Sequence, residues 1–86
     1  MFAYILRVHT QPSEETDEFF RRFKDTPGLI HAFNLQGADD PEDGVAVAVW
    51  ESREAAERYL ESQLRNEVDV ALEGVTRTMY EVRDSK

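Results

Sequence analysis

Residues 45–50 read Val-Ala-Val-Ala-Val-Trp, a strand-like run that is apolar on both of its faces. Alternation places Val45, Val47 and Val49 on one side and Ala46, Ala48 and Trp50 on the other. A strand with one wet side alternates apolar with polar residues, so this one needs cover on both. At Trp50 the period changes. Ser52 is placed to cap a helix in which Ala55, Ala56, Tyr59, Leu60 and Leu64 form an apolar stripe. Glu54 and Arg58, four residues apart, pair on its wet side. That helix covers one side of the strand and leaves the other to be accounted for.

The rest of the chain supplies the partners. FAYILRVH, residues 2–9, is rich in β-formers and reads as a strand. Phe2, Tyr4, Leu6 and Val8 lie on one face, and Ala3, Ile5, Arg7 and His9 on the other. A helix follows, with Ser13 as N-cap, Glu14 and Glu15 at the positive end of its dipole, and Thr16, Phe19, Phe20 and Phe23 on one side. Pro27 and Gly28 end it. LIHAFNLQ, 29–36, is a second strand, with Leu29, His31, Phe33 and Leu35 opposing Ile30, Ala32 and Asn34. GADDPEDG is a loop by composition. NEVDVALEG allows a further helical piece through Val68, Ala71 and Leu72, ending at Gly74, and VTRTMYEV, 75–82, closes as a strand.

The order is βαββαβ, which predicts an α+β, ferredoxin-like fold with a four-stranded antiparallel sheet. Neither linker nor repeat divides the chain, so residues 1–86 form one domain. Two helices cover one face of such a sheet. The other face would expose several large apolar side chains together, more than a soluble monomer normally tolerates. A second sheet packed face to face resolves this, and predicts a homodimer. Size points the same way: a chain of 86 residues hides only about 60–65% of its unfolded surface. With no cysteine, disulfides and thiolate metal sites cannot make up the difference.

The net charge of −8 argues against nucleic acid, whose phosphates call for a basic patch, and against anionic membrane surfaces. MFAYILR has no basic leader region and its apolar run stops at Arg7, so it reads as neither signal peptide nor membrane span. A soluble, cytoplasmic protein is expected. The acidic loop at Asp39, Asp40, Glu42 and Asp43 has Pro41 where a calcium loop wants a ligand, and reads as solvated. No serine, cysteine or lysine sits beside a base motif, and there is no glycine-rich phosphate loop. No metal or cofactor is expected.

The chain resembles the antibiotic-biosynthesis-monooxygenase-like (ABM) domains of the dimeric α+β barrel superfamily. The resemblance rests on the opening strand into PSEETDEFFRRF, on PGLIHAF, on VAVAVWESREAAERYLES and on the closing TMYEV, and covers nearly the whole chain. It implies a dimer of four-stranded sheets, with a pocket between each sheet and its own helices. Among the activities it implies are cofactor-independent oxidation of anthrone- or quinol-type aromatics by O₂, haem degradation, and isomerisation or cleavage of small metabolites. The haem-degrading branch uses an asparagine late in the first strand, a tryptophan in the second helix and a histidine about three turns later. Arg7, Tyr59 and Asp69 stand at those places here, so haem oxygenation is disfavoured.

Six residues are candidates for the site. The resemblance turns the Arg7–His9 face towards the pocket, giving His9 the role of base and Arg7 that of partner for an anionic oxygen. Asn34, polar in mid-strand, would orient a carbonyl or water. Trp50, Tyr59 and Tyr80 would line the pocket, although Trp50 reads more readily as packing at the strand–helix corner. His31 alternates with apolar residues and reads as structural. These expectations give a cofactor-independent monooxygenase on a small aromatic substrate, with a non-catalytic dimeric small-molecule-binding or sensing module as the alternative.

Overall fold

A computed structural model of the chain describes residues 1–9, 13–72 and 75–86. The elements run β1 (Phe2–His9), α1 (Glu14–Phe23), β2 (Leu29–Gln36), β3 (Asp43–Trp50), α2 (Arg53–Leu60), α3 (Gln63–Ala71) and β4 (Thr76–Glu81). The four strands form one antiparallel sheet in the order β2-β3-β1-β4, the α+β arrangement expected from βαββαβ. The second helical piece is present as α3, and Gly74, expected to end it, lies outside the described residues.

Each helix begins at a serine. Ser13 Oγ accepts the Thr16 amide at 3.2 Å while Thr16 Oγ1 accepts the Ser13 amide at 2.8 Å, a reciprocal capping box. Ser52 and Ser62 accept from Ala55 and Arg65, each at 3.2 Å. Between α1 and β2 the chain turns at Gly28, whose φ of 86° lies in the left-handed region. A Cβ there would also collide with Cβ of Ala55 on α2. Glycine is therefore required twice over.

All three helices pack on one side of the sheet. Tyr4, Leu6, Ala48 and Trp50 of the strands meet Phe23 of α1, Ala55, Ala56 and Tyr59 of α2, and Val68 of α3. Trp50 is wholly buried at the centre. The Phe23 ring meets it edge-on at 5.8 Å and meets Tyr59 edge-on at 4.9 Å. The small Ala46 and Ala48 leave room beneath the helices for these rings.

β2 departs from simple alternation. Leu29 pairs with Trp50 and His31 with Val49, so an extra residue, Ile30, is bulged out between them. Leu29 thus packs on the core, while His31, Phe33 and Leu35 lie on the other face; the four do not share a side. That other face also carries Ala3, Ile5, Arg7, His9, the β3 valines and Tyr80. Phe33, Leu35 and Tyr80 are each about half exposed there, at 53%, 50% and 51%.

Candidate functional site

A cleft opens between the sheet and the helices. Its cavity volume is about 90 Å³, and the empty space including solvent at its mouth about 610 Å³. The sheet supplies the floor through Tyr4, Leu6, Val8, Ala46 and Ala48, with Asn34 beside them on β2. Helix α1 lays its entire expected face, Thr16, Phe19, Phe20 and Phe23, along one wall, and Tyr59, Val68 and Leu72 close the other. The apolar lining follows from the periodicities: an amphipathic helix buries one stripe, and here the stripe faces a floor whose alanines are too short to fill the gap.

Few polar groups face this space. The Thr16 hydroxyl is already engaged, donating to the Ser13 carbonyl at 2.9 Å within the capping box. Asn34 stands near the mouth with its amide unpaired among the described residues. Tyr4 and Tyr59 bring two phenols, their rings edge-to-face at 6.0 Å. Arg77 of β4, opposite Leu6 in the sheet, donates from Nε to the Tyr4 hydroxyl oxygen. Arg77 is in turn ion-paired with Asp69 of α3, and Asp69 also takes Arg65 at 3.0 Å.

This arrangement sets the protonation of the phenols. Burial pushes both Tyr4 and Tyr59 up from the usual phenol value, and the nearby Arg77 only partly opposes it. Both stay protonated at neutral pH. For Arg77, burial pulls downward, but the paired Asp69 carboxylate and the neighbouring Tyr4 outweigh it, so the guanidinium stays charged.

The expected site residues separate into two groups. Tyr59 and Asn34 line the cleft, and Trp50 lies in the packed core behind it. Arg7, His9 and Tyr80 lie on the opposite face of the sheet and are exposed, as is His31. The expectation that the Arg7–His9 face turns to the pocket is thus corrected. Their neighbours Leu6 and Val8 face the helices, and a pleated strand sends successive side chains to opposite sides. The phenol–guanidinium group of Tyr4 and Arg77 was missed. The available signal was an arginine alternating with Met79 on the inner side of β4, where an unpaired charge would be costly.

No family model and no curated protein matches the chain. Solved structures do. A variant of SnoaB, a cofactor-independent oxygenase from Streptomyces nogalater, superposes with a TM-score of 0.78 at 22% identity, covering 98% of this chain and 94% of that one. The chain has an ABM-like fold. An antibiotic biosynthesis monooxygenase matches with a TM-score of 0.77 at 14% identity, over 98% of this chain and all (100%) of that one. A variant of MhuD, solved with two manganese protoporphyrin IX bound per active site, matches with a TM-score of 0.67 at 18% identity, over 100% of this chain and 98% of that one.

The ABM-like fold thus includes a porphyrin binder, but the residues here do not fit a haem. The Asp69 carboxylate is engaged by Arg65 and Arg77. Neither histidine lines the cleft, and burial opposes the ionisation that Tyr4 or Tyr59 would need to bind iron. Among the described residues, no three His, Cys, Asp or Glu side chains gather to hold a metal ion, and no helix is long and apolar enough to cross a membrane.

Proposed function

We propose that the chain is a cofactor-independent monooxygenase acting on a small anthrone- or quinol-type aromatic held in the cleft. The observation that carries this reading is the cleft itself: a slot walled by aromatic rings whose polar groups, apart from the Thr16 hydroxyl engaged in its helix cap, are two protonated phenols and one amide. Such a lining holds a flat ring system by its faces and its ring oxygen by a few donors. The ABM-like fold, shared with a cofactor-independent oxygenase, supports the same reading. An anthrone CH₂ would react with O₂ to give a ring carbonyl and a water that carries off both hydrogens, so the substrate supplies all four electrons that O₂ takes up and no external reductant is required. The protein would exclude water, fix the ring, and stabilise the oxygen on which charge collects as the CH₂ loses its proton.

Two copies are proposed to pair through the open sheet face, which leaves both clefts free. The test of function is oxygen uptake by metal-stripped protein against anthrones, quinols and flavonols with no cofactor added. Uptake above the spontaneous rate that saturates with substrate is expected. One observation favours a second reading, a dimeric binding or sensing module. No His, Asp, Glu or Lys lines the cleft among the described residues, so no side chain of ordinary basicity is there to take a proton. Thermal stabilisation by the same compounds without oxygen uptake would select that module.

A further inference from the structure

The Tyr4 hydroxyl is a donor without an acceptor. The residue is only 3% exposed, yet it forms part of the floor of the cleft. Arg77 is a pure donor and points Nε at the phenol oxygen, so that oxygen is already accepting. The hydroxyl hydrogen must then point elsewhere, and among the described residues no protein group accepts it. A buried donor left unpaired is costly. Arg77 cannot swing away to free the oxygen, because Asp69 holds its guanidinium and Arg65 holds Asp69. Accepting from a cation also polarises the phenol and makes it a stronger donor.

We propose that Tyr4 reads an acceptor oxygen on the cleft's ligand, a ring ketone or its enolate, by donating its hydroxyl hydrogen, with Arg77 as the positioning residue that fixes the direction of donation. The inference rests on the proposed cleft and narrows its ligands to ring systems that carry such an oxygen at the buried end. Burial favours this role, because it keeps the phenol protonated and able to donate.

The test compares 1-tetralone, whose ketone only accepts, with tetralin, which has the same skeleton and no oxygen, by calorimetric titration. Tyr4→Phe is expected to lower the tetralone-to-tetralin affinity ratio by about three- to tenfold, the worth of one net hydrogen bond, while tetralin binding is unchanged. Arg77→Gln should lower the same ratio by less. A ratio that Tyr4→Phe leaves unchanged overturns the inference while the cleft stands as a binding site. If neither probe binds the parent protein, the cleft reading fails and this inference with it. Infrared spectra of tetralone bound to the parent chain need no variant to fold. A carbonyl stretch below its position in alkane solvent supports donation by the protein, and a stretch at the alkane position overturns it.

Discussion

Trp50 holds together the corner where β3 meets α2. A tryptophan that ends an all-apolar strand and precedes a capped helix sits at a corner that needs area, and Trp50 is fully buried there between Phe23 and Tyr59. Trp50→Ala should cost about 3–5 kcal/mol, enough to unfold much of so small a domain, read as loss of the cooperative denaturant transition. Tyr4 was hidden for the opposite reason. A tyrosine on an apolar alternation looks like filling, and only Arg77, 73 positions away in sequence, makes it chemical. The phenols also set an alkaline limit on stability. Their folded pKa values lie above that of an unfolded phenol, about 10, so their contribution is complete below that pH. It is lost as pH rises through the folded values. Chemical denaturation at stepped pH should therefore show stability falling above about pH 10, and Tyr4→Phe should flatten that fall.

At the scale of elements, the strands and caps were legible and the faces only partly so. Ser13 and Ser52 mark helix starts because a side-chain acceptor there satisfies amides the helix cannot, and both do so. Alternation sorted β1 into two faces but could not say which met the helices. Size was the physical tie-breaker: Phe2, Tyr4, Leu6 and Val8 offer more to bury than a face carrying Arg7 and His9. Arg7→Ala and His9→Ala are accordingly expected to leave tetralone binding in the cleft unchanged, as the same titration would show. The bulge at Ile30 left no trace in composition, since it is defined by pairing with β3. Gly28 is the opposite case, because Pro-Gly announced a turn and the turn uses it. Gly28→Ala should lower the melting temperature by several degrees, as left-handed φ and contact with Ala55 both penalise the added methyl.

For the whole molecule the question is what meets the open sheet face. Its centre is Val47, flanked by Ile5 and Phe33, with Leu35 and Tyr80 half exposed further out. The chain carries eighteen Asp and Glu, yet the acidic residue that the strands place on this face is Asp43, at its edge opposite His9. A strongly acidic protein has kept its carboxylates off the centre of this surface, where Arg7 is the charged neighbour of the valines, and a largely apolar surface of this kind suits a second copy of itself. Sedimentation should then give twice the 10.0 kDa of one chain. Two bodies of charge −8 repel, so added salt should tighten the pairing by screening them. Val47→Asp buries a carboxylate against its own counterpart in such a dimer and should yield single chains, whose lower melting temperature would measure how far one sheet depends on the other. A parent chain that sediments at 10.0 kDa at every salt concentration would refute the pairing.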